Sequence, residues 1–189
     1  GATYKHRNVG GIGHIGCFSF FSNKVITTGE GGMVTTGDTN LASKIRILRD
    51  HGMSNDRKYW HEIAGFNYRM TNLQAAVGVA QMERFDKFLA RRREIGKLYI
   101  DGLKDIPGLI MPPKEEWANT IFWIFSILID DKVFGLSRDN LIKILATQGI
   151  ETRPFFYPLN EQPPYHQRGN FDISIKLSAQ GISLPSGNN

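Results

Sequence analysis

The amino-acid sequence predicts an α/β fold made of short strands and amphipathic helices. Apolar runs over residues 18–21 and 119–129 have the length and composition of strands. In two longer segments, 71–103 and 137–148, apolar residues return at helical spacing. Strand-like and helix-like segments therefore alternate along the chain, as they do in α/β proteins. Hydrophobic residues make up 41% of the sequence, which favours a packed core over disorder.

The first half of the chain is expected to open with a glycine-rich segment and to continue with a turn, a strand and a helix. These elements are predicted over residues 1–16, 29–32, 33–36 and 40–49. The helix follows from Leu41, Ile45 and Leu48, which fall on one helical face. Residues 50–70 are expected to form a long loop, and loops of this length are usually functional or disordered.

Thr71 begins the helix that the sequence predicts most clearly. Thr71 and Gln74 have the spacing of a capping box, in which each side chain bonds the backbone of the other residue. An apolar stripe follows and extends the helix to about residue 103, with a bend near Asp86. Pro107 and Gly108 then stop it.

A second module follows Pro112 and Pro113. Its expected elements are a strand, a helix and a second strand, over residues 119–129, 137–148 and 150–153. Gly149 suits the left-handed cap that ends the helix. The tail, residues 155–189, is rich in proline, and no closing helix is expected in it. The sequence thus predicts two α/β pieces joined by a helical connector, in a chain truncated on both sides.

Composition and charge argue against several classes of protein. The net charge of +5 is mild, and the run Arg91-Arg92-Arg93 is expected to be mostly solvated, so no nucleic-acid partner is expected. No run approaches the roughly 20 apolar residues of a membrane span, so no membrane partner is expected either. The single cysteine, Cys17, permits no internal disulfide and fits a cytoplasmic protein. No metal site is expected.

Three glycines match a nucleotide-binding spacing without predicting a nucleotide site. Gly11, Gly13 and Gly16 fit G-x-G-x-x-G, a fingerprint that requires a strand before the glycines and a helix after them. Here the glycines lead into residues 17–21, which resemble a strand. We therefore expect a flexible loop whose glycines permit unusual backbone angles.

Lys24 combines an amine with surroundings suited to covalent chemistry. It follows an apolar strand, with hydroxyl groups near it and the glycine turn beyond it. An amine held in a partly dry site can attack a carbonyl carbon, and small neighbours let a flat cofactor approach. Taken alone, however, a single lysine is most often a surface charge.

The string around this lysine is Ser19-Phe20-Phe21-Ser22-Asn23-Lys24-Val25-Ile26-Thr27-Thr28-Gly29-Glu30-Gly31-Gly32. It is similar to the pyridoxal-phosphate (PLP) lysine signature of the DegT/DnrJ/EryC1/StrS sugar aminotransferases. Further similar blocks follow in the family's order, at residues 48–53, 65–76 and 151–158. The resemblance implies the aspartate-aminotransferase type of α/β fold, known as fold type I. Residues 1–106 would be the C-terminal part of the large PLP-binding domain with its connecting helix, and 107–189 a truncated small C-terminal α/β domain.

The resemblance also implies which residues bind the cofactor. Lys24 would hold PLP covalently, and Ser19 would bind its phosphate. Asn67 would reach across a homodimer to the phosphate in the neighbouring subunit, with Arg69 assisting, so that the two subunits share active sites. A turn residue that tolerates left-handed angles is the alternative for Asn67.

Substrate contacts are implied by the same resemblance. Arg153, Phe155 and Tyr157 resemble the part of the small domain that faces the active-site mouth, with interdomain packing as the alternative. His51, in a matching block, is assigned to the substrate as well. Tyr59 is expected to touch a sugar or a base, or else to pack.

The implied reaction is transamination, with L-glutamate as donor and Lys24 as general base. The acceptor would be a nucleotide-linked keto sugar, since the chain most resembles members that aminate C4 of GDP-4-keto-6-deoxymannose. A PLP-dependent sugar dehydratase is one alternative, although those relatives replace the lysine with histidine. A non-enzymatic regulator of the same family is another.

Part of the implied PLP site is not found in the sequence. In relatives, the acid that pairs with the pyridine nitrogen and the aromatic residue stacked on the ring lie upstream of the position of Gly1. We therefore expect the chain to need a missing N-terminal segment of the same polypeptide as a partner.

Overall fold

The computed structural model describes residues 1–166 and 169–187, which form two compact units. The first unit comprises Gly1–Ala90 and Glu115–Ile121, and the second comprises Arg91–Lys114 and the described residues from Phe122 onward. The predicted tail also extends over residues 167, 168, 188 and 189, which lie outside the described residues.

Strands and helices alternate along the chain, as the sequence predicts. The strands are β1 (Thr3–Tyr4), β2 (Arg7–Asn8), β3 (Gly16–Ser19), β4 (Gly32–Thr35), β5 (Leu109–Ile110), β6 (Ala118–Asn119), β7 (Phe125–Ile129), β8 (Arg153–Pro154) and β9 (Gly181–Leu184). The helices are α1 (Thr39–Arg49), α2 (Asn72–Met82), α3 (Phe85–Leu103), α4 (Asp131–Phe134), α5 (Arg138–Thr147) and α6 (Asp172–Gln180). Two 3-10 turns span Leu159–Glu161 and Pro163–Tyr165. No helix among the described residues is long and apolar enough to cross a membrane.

The first unit contains two small antiparallel sheets. One has the strand order β2-β1-β6, and the other is the pair β3-β4, in which Cys17 lies opposite Val34. The glycine motif leads into β3 and not into a helix, so its interpretation as a loop is confirmed. The loop between β3 and β4, residues 20–31, contains Lys24.

Capping residues start the helices of the first unit. Asp38 accepts hydrogen bonds from the N–H groups of Asn40 and Leu41 and thereby caps α1. Thr71 and Gln74 form the predicted capping box at the start of α2. The helix predicted from residue 71 to about 103 is broken between α2 and α3, close to the predicted bend.

The second unit is built on a four-stranded antiparallel sheet with the order β5-β7-β9-β8. Phe125, Ile127 and Ile129 alternate along β7 and form the buried core together with Ile182 of β9. Residues of α3 and α5 pack against this core, among them Tyr99, Ile100, Leu141 and Leu145. Apolar side chains are therefore buried on the face of the sheet that the helices cover.

Two predicted strands differ from those observed. The strand predicted over residues 119–129 is wrong, because the chain forms β6 in the first unit and β7 in the second. Phe122 lies between them with a φ of 47°, a left-handed conformation that interrupts an extended strand. The strand predicted over 150–153 is displaced to Arg153–Pro154.

The tail contains a helix and a strand that the sequence analysis missed. Ile173, Ile175 and Leu177 of α6 recur at every second residue, a spacing typical of a strand, so the segment gives no helical signal. Strand β9 follows directly and pairs with both β7 and β8. The expectation that the tail has no closing helix is therefore wrong for the described residues.

The expectation that the arginine run is mostly solvated is wrong for Arg92. Only 7% of Arg92 is exposed, and its guanidinium donates to the backbone carbonyls of Trp123 and Ser186. Burial lowers the pKa of Arg92 below its usual value. Arg91 is exposed and pairs with Glu94. Adjacent helical positions point in different directions, and here one of them points into the second unit.

Candidate active site

Lys24 lies midway along a loop whose base is closed by hydrogen bonds. The Phe20 carbonyl accepts from the N–H of Thr28 at 3.0 Å and from the hydroxyl of Thr27 at 2.9 Å. Both contacts connect the beginning of the loop, residues 20–31, to its later part. Lys24 itself is half-buried. These two hydrogen bonds therefore hold together the two ends of the segment that carries Lys24.

The glycine turn after Lys24 is required by close packing. Gly31 has a φ of 148°, and a Cβ there would lie 2.6 Å from Thr28 Oγ1 and 3.0 Å from Met70 Cε. On the other side of the turn, a Cβ at Gly29 would meet nothing within 4 Å. The turn is therefore crowded at Gly31 and open at Gly29, which lies in the loop that contains Lys24.

Helix α2 is tied to the same loop. The side-chain amide of Gln74 donates to the Glu30 carbonyl at 3.1 Å, and Gln81 Oε1 accepts from the Thr27 N–H at 3.4 Å. A Cβ at Gly78 would lie 3.1 Å from a methyl carbon of the loop. Sequence reasoning missed these contacts, although the i, i+4, i+7 spacing of the three residues places them on one helical face.

Ser19 is the last residue of β3, so it lies at the entrance of the Lys24 loop. Its side chain is exposed, and its Oγ accepts a hydrogen bond from the Phe21 N–H at 3.3 Å. A hydroxyl that accepts one such bond still has a proton to donate. Ser19 is therefore an exposed hydroxyl five positions before Lys24, and its contact with a cofactor phosphate stays a prediction.

Asn67 and Arg69 lie in a second folded segment. Asn67 forms an isolated β-bridge with Asp50, and the N–H of Tyr68 donates to the Arg49 carbonyl at 3.0 Å. The side chains of Asn67 and Arg69 are exposed. Residues 50–70 are thus an ordered loop that presents Asn67 at the surface of the first unit.

Asp50 connects two of the predicted site residues. Its Oδ1 lies 3.0 Å from His51 Nδ1 and 3.3 Å from Arg69 NH1. The hydrogen bond from His51 is the main cause that lowers the pKa of Asp50, the charge of Arg69 adds to it, and desolvation opposes it. Sequence reasoning did not single out Asp50. The sequence shows that Asp50 precedes His51. Its contact with Arg69, 19 positions later, depends on the fold and could not be predicted.

His51 and Tyr59 both have left-handed backbones, with φ of 62° and 64°. The His51 carbonyl accepts a hydrogen bond from His61 Nδ1 at 2.8 Å, which helps to hold the loop. Tyr59 is 75% exposed, with Lys58 Nζ 5.0 Å from its ring centroid. Tyr59 is therefore largely exposed, with Lys58 over its ring, whereas His51 is hydrogen-bonded to Asp50.

The other predicted substrate residues belong to the second unit. The exposed Arg153 pairs with Glu151 at 3.4 Å, and Tyr157 is 71% exposed. Phe155 is half-buried, with its ring against Gly181, where a Cβ would overlap the ring. Phe155 therefore packs within the second unit, and contact of Arg153, Phe155 and Tyr157 with a substrate stays a prediction.

The second unit also contains an open depression of about 700 Å³. Its lining includes Asn160, Tyr165, His166, Phe171 and Ser174. None of these was predicted as a site residue. The signal in the sequence was the clustering of proline and aromatic residues in the tail.

Comparison with known proteins places the chain in one family. The sequence profile of the DegT/DnrJ/EryC1/StrS aminotransferase family matches residues 1–189. GDP-perosamine synthase of Caulobacter vibrioides is 44% identical over 98% of this chain and 51% of that protein. GDP-perosamine synthase of Escherichia coli O157:H7 is 43% identical over 98% of this chain and 50% of that protein.

A solved structure agrees with these matches. The Helicobacter pylori aminotransferase PseC, involved in the biosynthesis of pseudoaminic acid, superposes with a TM-score of 0.90 at 28% identity, over 100% of this chain and 52% of that one. The predicted fold class is confirmed. The chain spans about half the length of the curated relatives it matches. With its whole length matched by the family profile, the chain belongs to the DegT/DnrJ/EryC1/StrS aminotransferase family.

Proposed function

We propose that this chain carries the cofactor-binding lysine of a PLP-dependent nucleotide-sugar aminotransferase. The observation that carries the proposal is the closed loop around Lys24, with a hydroxyl at its entrance and helix α2 tied to its far end. Its membership of an aminotransferase family over all 189 residues supports the same reaction.

The first unit supplies part of the donor set that PLP requires. The carbonyl group of the cofactor requires an amine, and its phosphate requires hydrogen-bond donors. Lys24 supplies the amine, the exposed Ser19 supplies a hydroxyl in the same segment, and the space beside Gly29 is open. Asn67 and Arg69 add an amide and a guanidinium on the surface of the same unit.

The protein residues have distinct roles in this proposal. Lys24 Nζ holds the cofactor covalently and, once released, moves a proton at the substrate carbon as a general base. Ser19 orients the phosphate, and Asn67 does so for the cofactor of a second subunit, with Arg69 assisting. When bound, PLP supplies the electron sink for the reaction.

Two curated relatives support a proposal for the substrates. Two GDP-perosamine synthases match 98% of the chain at 43–44% identity, which supports GDP-4-keto-6-deoxymannose as acceptor. We propose L-glutamate as the donor. The presence of Lys24 argues against the sugar dehydratases, which have histidine at this position.

We propose that the active protein contains more than this chain. Its accessible surface is 13939 Å², whereas even two separate folded units of half its mass would expose only about 11,000 Å². On α2, Leu73 is 82% exposed and Val79 is 61% exposed. Apolar surface of this kind favours cover by further protein. The shorter length of the chain relative to its relatives supports the rest of the same polypeptide and a second subunit as that cover.

Covalent labelling tests the proposed role of Lys24. The full-length polypeptide is incubated with PLP, reduced with borohydride and digested, and the pyridoxyl label is located by mass spectrometry. We expect the label on Lys24, its loss in Lys24→Ala, and its retention in Lys44→Ala, which removes an exposed lysine of α1. A label on another lysine would contradict the assignment.

A second assay separates an enzyme from a regulator. The same protein is supplied with ¹⁵N-glutamate and a panel of nucleotide-linked keto sugars, and the products are analysed by mass spectrometry. Transfer of ¹⁵N to a sugar supports the aminotransferase. Labelling of Lys24 without transfer to any sugar of the panel would support the regulator.

A further inference from the structure

Helix α2 contacts the Lys24 loop through one polar face. Gln74, Gly78 and Gln81 occupy positions i, i+4 and i+7, and each of them meets the loop. The two hydrogen bonds reach Glu30 and Thr27, residues on the C-terminal side of Lys24. The bonded residues are 44 and 54 positions apart in the sequence. The two hydrogen bonds therefore join the loop to a helix that lies outside the β3-β4 pair.

The side-chain amide of Gln74 makes hydrogen bonds both to the start of α2 and to the Lys24 loop. Its Oε1 accepts from the Thr71 N–H at 2.9 Å and from the Thr71 hydroxyl at 3.1 Å, which completes the capping box. Its Nε2 donates to the Glu30 carbonyl at 3.1 Å. The first function needs only an acceptor, whereas the second needs a donor.

The Glu30 carbonyl receives two hydrogen bonds. Besides the Gln74 amide, the Thr28 hydroxyl donates to it at 2.7 Å. Thr28 also donates its N–H to Phe20 at the base of the loop. Thr28 therefore connects the Glu30 carbonyl to the base of the loop that carries Lys24, so a displacement of Glu30 would also shift Thr28.

We infer that Gln74 is a positioning residue that sets the reactivity of Lys24 by fixing the C-terminal arm of its loop. The inference rests on the proposed function of Lys24. Gln74 does not act as a reacting group itself. It fixes the backbone from which the lysine side chain extends, and small displacements of a reacting group are costly for its reaction.

A purely structural role is the alternative, in which Gln74 only caps α2. The substitution Gln74→Glu separates the two roles. A glutamate at the third helical position completes a capping box as well as glutamine does, and its charge is favourable near a helix N-terminus. A carboxylate cannot donate to the Glu30 carbonyl, and it would place two acceptors against each other.

The experiment compares Gln74→Glu with Thr71→Ala in the full-length polypeptide. Thr71→Ala is the matched control, because it removes the capping hydroxyl and leaves the Gln74 amide in place. For each variant we measure the unfolding temperature, the hydrogen exchange of a peptide covering residues 20–31, and the rate of borohydride-trapped PLP labelling at Lys24. The visible circular dichroism of the bound cofactor adds a signal that a change in helix stability does not produce.

For Gln74→Glu we expect an unfolding temperature close to that of the parent protein, because the favourable charge near the helix N-terminus offsets much of the lost hydrogen bond. We also expect faster exchange in residues 20–31, an altered dichroism band, and Lys24 labelling slowed about threefold to tenfold, the effect of losing one ordinary hydrogen bond. For Thr71→Ala we expect a lower unfolding temperature and unchanged labelling. Parent-like exchange and labelling in a folded Gln74→Glu protein would overturn the inference.

Two further comparisons keep the result decisive. If Gln74→Glu fails to fold, Gln81→Leu and Gln81→Glu replace it, because glutamate keeps the acceptor for the Thr27 N–H and leucine does not. Slower labelling in Gln81→Leu alone supports a loop held by α2, and equal labelling refutes it. If the parent protein is not labelled at Lys24, the proposed function fails, while the hydrogen-exchange comparison still tests the tie.

Discussion

Replacing Arg92 by methionine tests how much its two hydrogen bonds to backbone carbonyls stabilise the fold. Arg92 NH1 donates to the Trp123 carbonyl at 3.0 Å and also to the Ser186 carbonyl, which lies 94 positions away. Methionine keeps much of the apolar stem and removes both donors. Arg91→Met is the matched control, because Arg91 precedes Arg92 on the same helix and pairs with the exposed Glu94.

The size of the effect follows from opposing terms. Two hydrogen bonds from a charged donor contribute about 1.5–3 kcal/mol each, so their loss costs roughly 3–6 kcal/mol. The substitution also removes the desolvation cost of the guanidinium and the cost of its buried Nε, which has no hydrogen-bond partner, together about 2–4 kcal/mol. At matching ends of these ranges the difference is about 1–2 kcal/mol, so we expect Arg92→Met to lower the free energy of unfolding by that amount. Arg91→Met should lower it by about 0.5 kcal/mol or less, as for an exposed helical pair.

Urea unfolding of the full-length protein, followed by tryptophan fluorescence, measures both variants. The comparison requires that the slope of free energy against urea concentration is the same in parent and variants, so that the midpoints report stability. An Arg92→Met protein as stable as Arg91→Met would show that the two carbonyl contacts contribute nothing net. The interpretation of Arg92 as a tie between α3 and the end of the described chain would then be wrong.

Two further predictions concern the 50–70 loop. The folded-state pKa of Asp50 is depressed, so its contribution to stability is present above the unfolded value of about 3.9 and is lost as the pH falls through the folded value. Asp50→Asn should therefore lower the unfolding temperature at neutral pH and flatten its decline in acid; parallel curves for the two proteins would contradict this. Mixing inactive Lys24→Ala and Asn67→Ala subunits should restore part of the activity, because one hybrid site then has both residues; demonstrated heterodimers without activity would count against shared sites.

Elements with local signals were predictable from the sequence. The capping box at Thr71 places the start of α2 correctly, because it depends on residues within a few positions of each other. The helix predicted over residues 137–148 also begins with a local cap, because Ser137 accepts a hydrogen bond from the N–H of Asn140. Gly149 then adopts a φ of 75°, the left-handed conformation for which it was singled out.

Features that depend on distant partners were not predictable. The apolar run over residues 119–129 reads as one strand, yet its ends pair with β1 and with β9, which belong to different units. Strand β9 is short and follows α6, whose apolar residues alternate at every second position. Nothing local distinguishes Arg92 from its two neighbours, since its acceptors come from residues 123 and 186.

The candidate site also contains features with local signals and features that depend on distant partners. The string around Lys24 predicts roles for the lysine and for Ser19, because the residues that carry the resemblance are contiguous. The capping-box pattern explains why residue 74 has a side-chain acceptor, but it accepts glutamate and glutamine alike. Only the Glu30 carbonyl, 44 positions earlier, gives a reason for an amide. The hydrogen bond to the lysine loop therefore accounts for glutamine at position 74, whereas the capping box alone does not.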